Sequence, residues 1–351
     1  MIPYILLILY ILLLAIAAEY LFQEKERKER FILDMGILAL FLLLALKKNT
    51  VGIDIAGYRQ QYLLSANMPW ADTDYVYFEA GFIQLMKLFS KANVPFGVFT
   101  ALIYGVCCSA YREFIRRYSA NAALSLLIFV CYQFLVFSMS GLRQALAMAM
   151  CLWAWMTLEK GKDGKHGLLA LALVVVSSTV HRSALMALPT LLFLYKPGKV
   201  YWPVFLALLA VSPGLRPGVH NFLAFLLDQD ISGGQVILGG NFVFLLAMAV
   251  FCVIGYYNCS DEKEDTYCVG VNILMLSVVA QVLFSGSAML RGAMYLTVFL
   301  IPTLPRALKR FDQGIESLGT WLLGLFLVWL FWHDTLAINQ LHICPYQFFW
   351  Q

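Results

Sequence analysis

Residues 2–22 read IPYILLILYILLLAIAAEYLF with only Glu19 charged, and residues 23–30 read QEKERKER with every position charged except Gln23. An apolar run of that length matches the about 20 residues that a helix needs to cross hydrocarbon. The start of the chain lacks a basic leader and a small-residue cleavage site, so Ile2 to Phe22 is expected to stay as a membrane anchor. The same alternation of apolar runs and short charged stretches continues through the chain. Its 351 residues are 61% hydrophobic and 13% charged, with a mean hydropathy of +0.76. Soluble domains carry about 25% charged residues, which excludes a water-soluble globule, a secreted disulfide scaffold and a disordered chain.

The expectation is an all-α polytopic membrane protein with about twelve transmembrane helices (eleven to thirteen), forming one membrane domain over 1–351. What remains is too short for a separate soluble catalytic domain, so any chemistry must come from loops and helix ends. A net charge of +4 gives no pointer to nucleic acid. The cysteines show no metal spacing, and Cys107, Cys108, Cys131, Cys151 and Cys252 lie inside apolar runs as small hydrophobes. Neither a disulfide nor a metal site is expected. No internal repeat is visible, which gives no support to inverted-repeat transporter architecture.

Sides follow from the Lys/Arg bias of cytoplasmic loops. Lys25 to Arg30, Arg112 to Arg117, Lys160 to Lys165, Lys196 to Lys199 and Arg306 to Arg310 fall on one side under this threading. That side is assigned to the cytoplasm, with the N-terminus periplasmic. Two long outer loops result. Residues 47–94 contain a short amphipathic helix, Tyr75 to Phe89, at the interface; residues 212–240 are rich in Gly and Pro.

The arginines that break the bias are the informative ones. Arg143, Arg182, Arg216 and Arg291 all fall at outer helix ends or in outer loops. A charge beside hydrocarbon costs several kcal/mol unless it faces protein or a wet cavity, and the planar guanidinium suits phosphate oxygens. An outer cavity lined by them would receive a diphosphate or another polyanion; the plain alternative is snorkelling to headgroups. Asp54 sits among apolar neighbours, where a carboxylate can serve as a base toward a hydroxyl. His181 can bond a phosphate or relay a proton, and Glu79 can pair with an arginine or act as a base. Asp72 and Asp74 suit a solvated loop. His220, Asp228 and Asp230 are candidates for a sugar lid, and the aromatic tail with Tyr346, Phe348, Phe349 and Trp350 suits either an interfacial belt or sugar stacking.

These pieces occur in a familiar order: Val51-Gly52-Ile53-Asp54 with Tyr58, Glu79-Ala80-Gly81-Phe82, Phe137-Ser138 before Arg143-Gln144, His181 with Ser183-Ala184, Arg291 with Tyr295, then Pro345-Tyr346. The chain resembles the EpsG/Wzy family of bacterial polysaccharide polymerases, over nearly its whole length. The resemblance implies a fold similar to the GT-C class glycosyltransferases and an active site facing the periplasm from the inner membrane. It also implies joining of repeat units carried on undecaprenyl diphosphate, without nucleotide sugar, metal or other cofactor. Arg143, Arg182 and Arg291 are then expected on the diphosphate with Gln144 orienting. Asp54 is the first candidate for the base, followed by His181 and Glu79. Tyr58, Arg216, His220 and Tyr346 are expected near the glycan. Expected partners are the lipid-linked oligosaccharides, membrane lipids and a chain-length regulator. The alternatives are an O-antigen ligase, a transporter or flippase of an anionic lipid-linked glycan, which would place ionisable groups at mid-membrane, and a non-catalytic scaffold.

Overall fold

A computed structural model of the chain describes residues 1–73, 78–195, 198–227, 239–258, 265–286 and 288–351. Helix α1 (Ile2–Leu21) runs unbroken because Pro3 falls in its first turn, where its missing N–H has no intrahelical partner to lose. Tyr4, Leu7, Ile11, Leu14 and Ala18, three or four apart, are buried on one face, and Leu6, Leu9, Leu13 and Ile16 are exposed on the other. Such an outward apolar face suits lipid, which is as apolar as leucine. The charged stretch turns the chain into α2 (Lys25–Ala45), with Lys28 paired to Glu19 and the Phe22 and Phe31 rings 5.3 Å apart.

The chain continues through α3 (Ile55–Ser65), α4 (Ala80–Lys91), α5 (Phe96–Tyr118), α6 (Ala122–Cys131), α7 (Phe134–Ser140), α8 (Leu142–Lys160) and α9 (Gly164–Val180). A 3-10 turn, Arg182–Ala187, leads to α10 (Leu188–Phe193), α11 (Trp202–Leu227), α12 (Gly240–Tyr257) and α13 (Asp265–Phe284). A second 3-10 turn, Ala288–Ala293, precedes α14 (Met294–Thr297), α15 (Leu300–Leu308), α16 (Gln313–Leu330) and a π-helical turn, Phe331–Ala337. Among the described residues six helices are long and apolar enough to cross a membrane: α1, α5, α11, α12, α13 and the α16 region. The pair α6–α7, bent by 52° at its break, is either a broken seventh span or a re-entrant loop, and α9 and residues Arg182–Phe193 are shorter apolar helices. The protein is an all-helical, polytopic membrane protein. In α13, 83% of the apolar window is buried against 11% in α11, so α13 lies in the centre and α11 at the rim. Cys107, Cys108, Cys131, Cys151 and Cys252 are buried in the core.

Three stretches differ from the sequence reading. The segment expected as the second outer loop is helical as far as Leu227, with Pro213 and Pro217 inside α11; residues 228–238, with Asp228 and Asp230, lie outside the described residues. Proline is tolerated in a helix of this environment because freed backbone groups find local partners. The helix expected at Tyr75 to Phe89 is Ala80–Lys91, and residues 74–77 are outside the described set. Its Lys87 is fully buried and donates to the carbonyls of Pro69 (2.6 Å), Trp70 (3.4 Å) and Asp72, so it fastens the first loop instead of facing water. The apolar run from Ala122 to Phe137, expected as a single span, breaks at Gln133, whose φ of 61° turns the chain between α6 and α7.

The end of the bundle where α2 and α9 finish and α8 begins is closed by the 46–54 loop and the C-terminal tail. Lys48 N–H donates to Gln347 (2.8 Å), Gly52 N–H to His342 (3.1 Å), Ile53 N–H to Leu341 (2.9 Å) and Phe349 N–H to Leu46 (2.9 Å). Lys47 is buried beneath this seam, donates to the Val51 carbonyl at 2.9 Å and is pushed down to about 7 by burial.

Candidate functional site

Glu79 precedes α4, and Gly81 lets that helix approach the end of α9: a Cβ on Gly81 would stand 2.2 Å from Thr179 Oγ1 and 2.8 Å from its carbonyl oxygen. This contact brings the Glu79 carboxylate to the residues that follow α9. Oε1 accepts from His181 Nδ1 and from the Arg182 backbone N–H, both at 3.0 Å, while Oε2 pairs with Arg143 Nη1 from the first turn of α8. Burial alone would raise this carboxyl, but the His181 hydrogen bond, the Arg143 charge and the Arg182 N–H outweigh it and hold Glu79 down to about 2. A carboxylate so stabilised is a weak base, which counts against a general-base role for Glu79. The Arg143 guanidinium also lies over the Phe78 ring (4.2 Å) and reaches Tyr58 Oη at 3.4 Å. Tyr58 is buried between Phe78 and Phe82, and burial raises its hydroxyl. Its hydroxyl thus faces Arg143 in the interior, not an open sugar site.

Asp54 reaches the same end through Gly52. Gly52 has φ +102°, and a Cβ there would stand 2.5 Å from the Met139 carbonyl oxygen, so only glycine lets the loop lie against the end of α7. Two residues on, Asp54 Oδ2 accepts from Ser140 Oγ at 3.2 Å, and its backbone N–H contacts the same oxygen at 3.4 Å. Asp54 therefore stands at the α7–α8 break, bonded to Ser140, which is three residues before Arg143 in the chain.

Gln144 is 5% exposed and donates its amide to the Arg291 carbonyl at 2.7 Å. Expected to orient a diphosphate, it instead joins α8 to the second 3-10 turn and sets where Arg291 emerges. Arg291 is exposed, with its guanidinium 6.0 Å from the Phe137 ring centre. It lines a cavity of about 550 Å³ with Gln133, Phe137, Gln281, Ser285 and Asp334. Ser183 Oγ lies 3.5 Å from Tyr295 Oη, tying the turn after Arg182 to the helix after Arg291. Arg216 donates to the Ser285 carbonyl, on the wall of the same cavity. Of the four arginines expected to line one cavity, Arg291 alone is among the residues that line this one, while Arg216 touches its wall through the Ser285 carbonyl. Arg143 and Arg182 join through Glu79, and Arg291 joins through the neighbour of Arg143.

A model of the EpsG family matches residues 31–348. The chain belongs to the EpsG family. Membership makes it a glycosyltransferase-type polysaccharide polymerase in general terms. No curated protein and no solved structure matches it.

Two residues expected near a glycan in this EpsG protein are packed inside it. His220 is 7% exposed, shares a 2.7 Å hydrogen bond from Nε2 to the Leu283 carbonyl and stacks on Phe284. Tyr346 is buried against Tyr4 and donates to the Leu43 carbonyl at 2.7 Å. Conversely, Gln133, Gln281 and Asp334 line the cavity without having been singled out. A lone Gln in an apolar run is a usable signal, because its amide needs a partner or water at depth. Asp334 follows His333 in the π-helical turn and accepts from its Nδ1 at 2.6 Å; π segments recur at functional sites. Among the described residues no three His, Cys, Asp or Glu side chains gather as a metal site requires.

Proposed function

We propose that this EpsG family protein is a repeat-unit polymerase that moves a growing glycan from undecaprenyl diphosphate onto a hydroxyl of an incoming lipid-linked repeat unit. The observation that supports the reading is the exposed Arg291 on the wall of a cavity of about 550 Å³, joined through its carbonyl to Gln144, the neighbour of the Glu79-paired Arg143. The bond from the anomeric carbon to the diphosphate oxygen breaks, and the acceptor oxygen takes its place on that carbon. The diphosphate leaves with the electron pair, and the acceptor proton passes to a base. Guanidinium groups fixed before the reaction stabilise the departing charge without reorganising, and holding both lipid-linked substrates in one place supplies much of the remaining acceleration.

Arg291, exposed in the cavity, is the direct diphosphate contact; Arg143 is held in its pair with Glu79, beside Gln144, which positions Arg291 through its carbonyl. Asp54 is the base, with Ser140 orienting its carboxylate. His181 is fastened by Glu79 through Nδ1 and keeps Nε2 for a phosphate or sugar oxygen. The Lys/Arg-rich opposite end, with Arg112, Arg116 and Arg117, favours a cytoplasmic location there and a periplasmic one for the cavity in a bacterial inner membrane. No resident metal or nucleotide sugar enters this scheme.

The test is the purified protein in liposomes with undecaprenyl-diphosphate repeat units. A ladder of lengthening products is expected, absent in Asp54→Asn and slowed about a hundredfold in Arg291→Ala. Transfer only to a lipid A-core acceptor would replace the reading with a ligase, and translocation without bond formation would replace it with a flippase.

A further inference from the structure

A second cavity touches the first. Between α12 and α16 runs an apolar groove of about 790 Å³, walled by Val243, Ala247 and Met248 on one side and Leu322, Phe326 and Trp329 on the other. Its walls are open to the surroundings: Val243 is 61% exposed, Leu322 58% and Trp329 53%. From Leu322 to Asp334 it extends for about 18 Å at 1.5 Å per residue, more than half of the about 30 Å of bilayer hydrocarbon. At its upper limit stand His333 and Asp334, and Asp334 also lines the polar cavity that holds Arg291. Gly239 and Gly240 continue the same junction on the α12 side, one lining each space. An apolar trough thus ends at a polar chamber carrying a guanidinium, with one carboxylate residue common to both.

That succession has the shape of one kind of molecule: a long apolar chain ending in a diphosphate. We infer that the α12–α16 groove seats the polyprenyl chain of the lipid-linked donor, delivering its diphosphate past Asp334 to Arg291. The inference rests on the polymerase reading for its ligand and adds the place where the lipid lies. Asp334, paired with His333 at 2.6 Å, stands where the chain meets its charged head. The Arg291 guanidinium in the polar cavity, and the absence of any cation along the apolar groove walls among the described residues, hold the anionic head on the Arg291 side of the junction. Trp329 is stacked on His333 at 5.3 Å and lies 5.5 Å from Phe326, which stacks on Phe244 at 5.4 Å. The floor of the groove is therefore a continuous aromatic surface. A second apolar groove, of about 560 Å³ between α1 and α2 and lined by Leu6, Leu9, Leu13 and Leu42, shares no residue with the polar cavity. It is the internal control for ordinary lipid.

The experiment uses the full-length protein in nanodiscs and a polyprenyl diphosphate bearing a diazirine on its apolar chain. After irradiation, mass spectrometry is expected to place the label on α12 and α16 between Val243 and Trp329. Unlabelled polyprenyl diphosphate should compete and excess phospholipid should not. Ala247→Trp and Val243→Trp fill the groove and should each weaken labelling about tenfold, since excluding a few methylene groups suffices for that difference; Leu9→Trp in the control groove should leave it unchanged. Two filling variants keep the test usable should one fail to fold. Label on the α1–α2 groove, equal competition by phospholipid, or unchanged labelling in both filling variants would overturn the assignment. Groove labelling without a product ladder from undecaprenyl-diphosphate repeat units would leave the groove standing and sink the polymerase reading. A ladder with label elsewhere would do the reverse.

Discussion

Each end of the bundle holds a glutamate between arginines, and the two are built differently. At one end Glu113 accepts from Arg116 Nη2 at 2.7 Å and Arg117 Nε at 2.5 Å, its neighbours three and four residues along the same helix. At the other, Glu79 accepts from Arg143, His181 and Arg182, which lie 64, 102 and 103 residues away. The Arg116 side chain is 49% exposed and that of Arg143 17%. The Glu113 pairs can form in an isolated helix and their arginines reach water, so they contribute a few tenths of a kcal/mol each. The Glu79 set exists only once α4, α8 and α9 have come together, and it then fixes their ends against one another. A similar composition thus serves as a solvated helix face in one place and as a tertiary clasp in the other, and the clasp is where the candidate chemistry lies.

The largest expected effect tests that contrast directly. Glu79→Gln leaves the largely enclosed Arg143 without its counter-charge, and should cost about 3 kcal/mol, the lower end of what removing one partner of a buried pair costs. Glu113→Gln should cost about 1 kcal/mol, because its arginine partners, 49% and 31% exposed, turn to water when the carboxylate is lost. Denaturant unfolding of both variants in the same detergent measures the difference; equal losses would erase the distinction between clasp and helix face. Glu79→Gln should also end polymer formation, because the positions of Arg143 and His181 depend on it.

Next in size is Arg291→Ala, which separates function from stability at the same end. Its side chain is exposed and its carbonyl still accepts from Gln144, so stability should stay within about 0.5 kcal/mol. Loss of a fixed charge at the leaving group should slow chain lengthening about a hundredfold. A product ladder of normal length from a folded Arg291→Ala protein would remove this residue from the site.

The sequence carried the membrane class and the helix hairpin at Glu19–Lys28, because each follows from composition and from where charge can stand relative to hydrocarbon. It also made Gly81 legible as part of a motif, although not its purpose, which is the close approach to Thr179. Partner choice was not legible. Gln144, His220 and Tyr346 are all suited to a sugar or phosphate, yet each meets a backbone carbonyl instead: those of Arg291, Leu283 and Leu43. A donor meets whichever acceptor the fold presents, and buried carbonyls without secondary-structure partners are common at broken helices. The helical course of residues 212–227 was hidden for a related reason. Pro213 and Pro217 signal a loop in water, whereas hydrocarbon penalises an unpaired backbone enough to keep the helix.

A smaller effect follows from acid. Glu79 falls to about 2 in the folded protein from an ordinary 4.5, so below 4.5 the unfolded chain takes up its proton first. The stability that Glu79 provides is present in full above that value and fades as the pH falls toward 2. The gap in unfolding free energy between the native protein and Glu79→Gln should be flat from about pH 5 to 8 and close progressively below. A gap that closes instead near neutral pH would assign the dependence to another group.

The smallest effect concerns the tail that covers the same end. Tyr346→Phe removes one buried donor from the Leu43 carbonyl while keeping the ring 5.7 Å from Tyr4 and perpendicular to it. The lost hydrogen bond should lower stability by about 1 kcal/mol. Polymer length should not change, since the hydroxyl points at the protein interior and not at a substrate. The Arg291→Ala pattern is the inverse, with activity lost and stability kept. Measured side by side, the two variants divide one end of the molecule into a part that reacts and a part that holds. Shortened polymer from Tyr346→Phe at unchanged stability would move the tail from the second group to the first.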